Sequence, residues 1–189
     1  MRDNLNTVIL IGSARENRVA DRVLKWLIPE LAKYPDFSIR LADARDFDAG
    51  GVKRRAAIRL LEADVSAADA VIVLTPEYNH SFPAPLKTML DCLGEPWKKK
   101  PVAFISYGGI SGGLRAVEQL RLVAAELDMA DIRETVSIQS PWTNLDEEGE
   151  PRFPEQLNAS LARQMTALAW WGYSLRAARN IEIRKGNAA

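Results

Sequence analysis

Along this chain short apolar runs alternate with longer stretches whose apolar residues recur every three or four positions, the pattern of β-α-β units around a parallel sheet. Five strands are predicted: Thr7–Ile11, Phe37–Leu41, Ala70–Leu74, Val102–Ser106 and roughly Ile132–Ile138. The first, third and fourth are nearly unbroken apolar runs, as expected of strands covered on both faces, and belong in the middle of the sheet.

The stretches between them read as helices. Ala20, Val23, Leu24, Leu27 and Leu31 share one face, as do Ile58, Leu61 and Val65, then Leu86, Met89, Leu90 and Leu93. Val117, Leu120, Ala124 and Leu127 form a fourth stripe, and Leu157, Leu161, Met165, Leu168 and Leu175 a long fifth. Pro29 falls inside the first pattern and has no N–H for the helical ladder, which predicts a kink or stop near Ile28. Right-handed crossovers then give a three-layer α/β/α sandwich on a five-stranded parallel sheet.

A chain of 189 residues supports one substantial core, so residues 1–189 are read as a single domain with a core over about 5–179 and a polar, frayed tail over 180–189. Residues 139–153 form a long polar connection, of a kind that often carries function. The 25 basic and 25 acidic residues balance, which removes the electrostatic footprint of a nucleic-acid or membrane-surface binder and favours a small-molecule partner. Cys92 is the single cysteine, so no internal disulfide forms, and no Cys/His cluster has metal-ligand spacing. No apolar run reaches the length of a signal peptide core or a membrane span. The expectation is a soluble protein of a reducing cytoplasm, without a metal.

Ligands of open parallel sheets bind beyond the carboxyl ends of the strands, where strand order reverses. The loops after strands one, three and four therefore carry the candidate chemistry: GSARENR (12–18), PEYNHS (76–81) and YGGISGG (107–113). The first sets Ser13, Arg15 and Arg18 at a helix N-terminus, where free N–H groups, the helix dipole and guanidinium groups together suit a phosphate. A capped helix flanked by solvated arginines would carry the same residues. Neither G-x-x-x-x-G-K-[ST] nor G-x-G-x-x-G is present, which disfavours a P-loop kinase or a nicotinamide Rossmann domain. The glycines of the third loop let the backbone approach a flat ring; alternatively Ser111 merely caps a helix there. In the second, Pro76 ends a strand, Ser81 is placed to cap the next helix, and Pro83 and Pro85 fit its first turn. Glu77, Tyr78, Asn79 and His80 are left at the ligand edge without a packing reason.

These three loops, Gly12-Ser13-x-Arg15-x-x-Arg18, Thr75-Pro76-Glu77-Tyr78-Asn79-His80-Ser81 and Gly108-Gly109-x-Ser111-Gly112-Gly113, resemble the NADPH-dependent FMN reductase family. That flavodoxin-like group includes quinone, chromate and azo reductases. The resemblance spans roughly residues 5–138, with T-P-E-Y-N its most specific element. Many members carry serine at the position of Arg18. It implies an FMN phosphate held by Ser13, Arg15, the backbone near Asn17 and Arg18. It also implies an isoalloxazine ring between the second and third loops, touching Pro76, Glu77, Tyr78, Asn79, Gly109 and Ser111, with Ser81 in the same turn and the Gly108 and Gly109 amides as donors to the reduced ring. NADPH or NADH is the implied co-substrate, a quinone or similar compound the implied acceptor, and a homodimer or homotetramer the implied assembly.

If FMN binds, the redox chemistry is the cofactor's and no protein nucleophile is required. His80 is a candidate proton donor to the acceptor, or simply a solvated or partner-facing residue. Cys92 reads as a small buried hydrophobe. Lys98–Lys100 read as a solvated lead into strand four. Of Trp170 and Trp171, one is expected in the core and the other at a subunit contact. A flavodoxin-type electron carrier would be strongly acidic, and a response regulator would need acids where Gly12-Ser13 and Thr75-Pro76 stand. A flavin-sensing module that binds a protein partner is compatible with the same loops.

Overall fold

Alternate side chains of the central strands enter two separate cores. The computed structural model describes residues 4–48 and 51–186. In β1 (Leu5–Ile11) Leu5, Ile9 and Ile11 pack on one face and Val8 and Leu10 on the other. In β3 (Ala70–Pro76) Ile72 and Leu74 oppose Val71 and Val73, and in β4 (Pro101–Gly108) Ile105 and Tyr107 oppose Val102 and Phe104. With β2 (Phe37–Asp43) and β5 (Ala130–Gln139) these strands pair in parallel in the order β2-β1-β3-β4-β5. The three unbroken apolar runs are therefore the inner strands, because only strands with helices on both faces bury every side chain.

One face is covered by α1 (Val19–Leu31) and α7 (Pro154–Gly186), the other by α3 (Gly51–Ala67), α4 (Ala84–Asp91) and α5 (Leu114–Glu126). Two single-turn helices, α2 (Arg45–Asp48) and α6 (Pro141–Asn144), and a 3-10 turn over Glu95–Trp97 complete the regular structure. The helix on the first apolar stripe does not stop at Ile28. It runs through Pro29 to Leu31, because so near the end the proline removes one hydrogen bond and the Ala32 N–H still reaches the Ile28 carbonyl at 3.1 Å. Helix α7 likewise continues past Asn180 to Gly186; the end of the expected tail, 187–189, lies outside the described residues.

Where β4 and β5 slip register after Val102, the buried Gln164 amide of α7 donates to the Phe104 and Glu134 carbonyls at 2.7 and 2.9 Å. Of the tryptophan pair, Trp171 packs against the core and Trp170 is exposed. Cys92 is half-buried. Among the described residues no helix is long and apolar enough to cross a membrane.

Lys98–Lys100 are not uniformly solvated. Lys98 pairs with Glu95 and Lys99 with Asp128, whereas Lys100 is only 6% exposed and lies near Asp69 and Arg179 at the edge remote from the three loops. Burial first, then repulsion from Arg179, lowers its ammonium from 10.5 to about 8, partly offset by Asp69. Between those values the unfolded chain binds more protons than the folded one, so the native protein gains stability as pH rises. Lys100→Met is expected to stabilise the fold by about 1–2 kcal/mol at pH 7, with the gain shrinking above pH 8. Urea denaturation of both proteins at pH 7 and pH 10 checks this.

Candidate functional site

The strand order reverses between β1 and β3, and the loops that follow β1, β3 and β4 converge above that point. Gly12 opens the first loop with its N–H on the Leu74 carbonyl at 2.8 Å, in a space where a Cβ would meet Leu86 Cδ2 at 3.0 Å. The chain then passes through Asn17 at φ 49° and enters α1 at Val19. Arg18 precedes the helix in extended conformation and supplies no side-chain cap. The positive end of α1 is left open toward the cleft above it.

Arg18 reaches that cleft, but its guanidinium is engaged by partners within the chain. Its guanidinium donates to both carboxylate oxygens of Asp43 at the end of β2 (2.6 Å to Oδ1), to Asp21 at 2.9 Å, and to the Ser13 carbonyl. Burial alone would lower this group; its bonds to Asp43 and Asp21 outweigh that and hold it above its ordinary value. Arg45 completes the cluster on Asp21 at 2.9 Å. Arg18 thus has an internal role that the sequence reading did not give it: it ties the first loop to the end of β2.

The second loop is a tight turn. Tyr78 and Ser81 exchange backbone bonds at 2.8 and 3.0 Å, and the intervening Asn79 and His80 both have positive φ, 50° and 66°. Asparagine tolerates that conformation, so Asn79 has a local reason to be there. Glu77 also has one. Its carboxylate accepts the Arg115 backbone N–H at 3.2 Å, capping α5 from another loop, together with the Arg115 guanidinium at 2.9 Å and the Ser111 hydroxyl at 2.5 Å. Ser81 does not cap α4; it donates to Gln119 at 2.6 Å, and α4 has Pro83 at its cap. Exposed His80 gives its carbonyl to the Gln119 amide at 2.8 Å.

In the third loop Ser106 and Ser137 both bond the Gly112 carbonyl, at 2.9 and 3.1 Å. Gly113 has φ 88° and leaves 2.7 Å between a Cβ and the Ser106 Cβ or the Tyr107 nitrogen. Gly113→Ala is expected to cost about 2–4 kcal/mol, through an unfavourable backbone conformation and a clash with strand β4. The urea midpoint of the variant reads this directly.

The converging loops enclose a cleft of about 410 Å³, within the roughly 300–1,000 Å³ of small-molecule sites. Arg15, Asn17 and Arg18 reach its lining from the first loop, Pro76, Glu77 and Tyr78 from the second, Gly108 and Gly109 from the third. Asn79, Ser81, Ser111 and His80 lie outside the lining, and Ser13 is buried beneath it. Tyr78 joins the loops: its hydroxyl is 2.8 Å from the Ser13 Oγ and its ring lies 3.7 Å below the Arg15 guanidinium. A side chain at Gly109 would meet no protein atom within 4 Å, and its φ is not left-handed. Neither backbone conformation nor packing within the chain requires glycine there.

Glu16, Val19, Tyr107 and Trp142 also line the cleft and are not among the site residues read from the sequence. Trp142, on α6 inside the 139–153 connection, is 56% exposed and stands at the mouth. That connection packs against α1, with Arg22 donating to the Leu145 carbonyl at 3.2 Å and Gly149 pressed on Trp26. Tyr107 opens the YGGISGG stretch, but its place at the end of an apolar strand marks it as core.

The comparisons agree with this geometry. Residues 5–143 match the model of the NADPH-dependent FMN reductase family. A quinone reductase of Escherichia coli is 32% identical over 142 residues, covering 68% of this chain and 73% of the relative. An NAD(P)H-dependent FMN reductase of Schizosaccharomyces pombe is 29% identical over 65% of this chain and 66% of its own. Among solved structures, the flavoenzyme NAD(P)H:(acceptor) oxidoreductase FerB of Paracoccus denitrificans superposes with a TM-score of 0.74 at 20% identity, over 90% of this chain and 98% of that one. The fold is the flavodoxin-like α/β sandwich. The chain belongs to the NADPH-dependent FMN reductase family, whose members are flavin-dependent oxidoreductases.

Proposed function

We propose that this protein is an FMN-dependent NAD(P)H oxidoreductase that delivers two electrons to a quinone or a comparable acceptor such as an azo compound, chromate or free flavin. The observation that carries this reading is the cleft at the β1/β3 reversal, where an uncapped helix N-terminus and Arg15 lie at one end and a glycine-walled slot at the other. The first suits a phosphate and the second a flat ring, so the residues present fit FMN.

FMN held here would supply the redox chemistry, linking oxidation of reduced nicotinamide to two-electron reduction of the acceptor. The chain binds and orients. Arg15 and the amides around Asn17 hold the phosphate, with Ser13 beneath them supporting Tyr78 through its hydroxyl, while Arg18 acts through the Ser13 carbonyl to keep that loop in place. Pro76, the backbone of Glu77, Tyr78 and Gly109 flank the ring, and the Gly108 and Gly109 amides donate to its pyrimidine edge. Glu77, through Ser111 and Arg115, fixes the distance between the two ring-flanking loops. Asn79 and Ser81 shape the turn. His80, exposed outside the lining, has no place in this scheme beyond a contact with acceptor or neighbouring subunit.

The family resemblance supports a homodimer or homotetramer, and the single cysteine and balanced charge support a reducing, cytoplasmic setting. Steady-state NADPH and NADH oxidation with a water-soluble quinone, in the absence of other proteins, tests the enzyme reading. Rapid turnover is expected; flavin binding without turnover would favour a sensing module or electron carrier.

A further inference from the structure

Tyr107 closes β4 on the face that carries Ala103 and Ile105 into the core, and only 4% of it is exposed. A phenylalanine would satisfy that packing, yet the position holds a hydroxyl, and that hydroxyl is buried without a hydrogen-bond partner. An unpaired buried hydroxyl forfeits its hydration for nothing in return. The groups around it are already engaged. The Ser13 hydroxyl is near enough to lower the Tyr107 phenol but does not complete a hydrogen bond to it; its own close bond, at 2.8 Å, is to Tyr78. The Arg18 donors are directed to Asp43, Asp21 and the Ser13 carbonyl. What remains is the cleft, which Tyr107 lines at the end where α1 opens without a cap.

We propose that the Tyr107 hydroxyl donates a hydrogen bond to the phosphate of bound FMN, beside Arg15. This rests on the FMN reading above. A phosphate oxygen is a strong acceptor that the chain's own groups do not provide at this point. Burial, reinforced by Tyr78, pushes the phenol above its ordinary value, so the hydroxyl keeps its proton throughout the physiological range.

The test compares wild type with Tyr107→Phe, full-length and stripped of flavin, each titrated with FMN and with riboflavin, which lacks only the phosphate. Flavin fluorescence quenching reports binding, and the thermal midpoint of the flavin-free proteins reports folding. The expected result is FMN binding weakened by about tenfold or more in the variant, riboflavin binding unchanged, and a flavin-free midpoint equal to or above that of wild type. A purely structural tyrosine would instead lower the midpoint. Unchanged FMN affinity, or equal losses for the two flavins, overturns the assignment while leaving the cofactor reading intact. A wild-type protein that binds neither flavin overturns both.

Discussion

Arg15→Ala is expected to weaken FMN binding by about 10- to 100-fold while leaving the thermal midpoint of the flavin-free protein nearly unchanged. A charge-assisted bond from guanidinium to phosphate contributes roughly 1.5–3 kcal/mol, and each 1.4 kcal/mol is about a factor of ten. The side chain is exposed and stacks on Tyr78 at 3.7 Å. A stacking contact of that kind at an exposed site is worth about 0.5–1 kcal/mol, so the fold loses little with it. Arg15→Lys should recover part of the affinity, since a point charge remains but the planar fork does not. Flavin titration of the three proteins decides it, and an alanine variant with wild-type affinity would remove Arg15 from the phosphate site.

Arg18→Met inverts that pattern. The Arg18 side chain is 3% exposed and the Asp43 side chain 26%, so the substitution leaves a largely desolvated carboxylate and the Ser13 carbonyl without their donor. Removing one partner of a buried pair costs about 3–5 kcal/mol, and the partial exposure of Asp43 places the expected loss at about 2–4 kcal/mol. For a domain of this size the thermal midpoint should fall by roughly 5–12 °C. Flavin binding should weaken too, but addition of saturating FMN should recover much of the lost midpoint, because ligand that binds only the folded state shifts the equilibrium back. Differential scanning fluorimetry with and without FMN separates the two effects. A midpoint equal to wild type would show that the Asp43 pair contributes nothing to folding.

The opposed behaviour expected of two arginines three positions apart marks where sequence reading stops. Composition and spacing place both at a helix N-terminus, but which one is buried depends on Asp43, which β2 brings alongside from 25 residues further on. Strands and helices were legible because alternation and helical spacing are local, and Ile9 against Val8 already announces two cores. Pro29 misled because its cost depends on how many residues follow it in the helix. Glu77 looked free of structural duty because its partners, Ser111 and Arg115, lie more than thirty residues away. Asn79 looked chemical, whereas the left-handed turn between Tyr78 and Ser81 explains it. Tyr107 and Lys100 were hidden for a common reason: an apolar strand pattern records which positions are covered, not whether the polar atom of an amphipathic side chain finds a partner once inside. Trp142 belonged to a connection recognised only by its length.

The central claim is that the cleft between these loops holds FMN and that reduced nicotinamide reduces it there. The most direct measurement is the visible spectrum of the purified protein, supplied with FMN if colourless, before and after anaerobic addition of NADPH or NADH, followed by extraction of the flavin. A bound flavin spectrum that bleaches on addition, with FMN in the extract, is the predicted result. A protein that remains colourless after incubation with FMN, or a bound flavin that neither nucleotide bleaches, would contradict it.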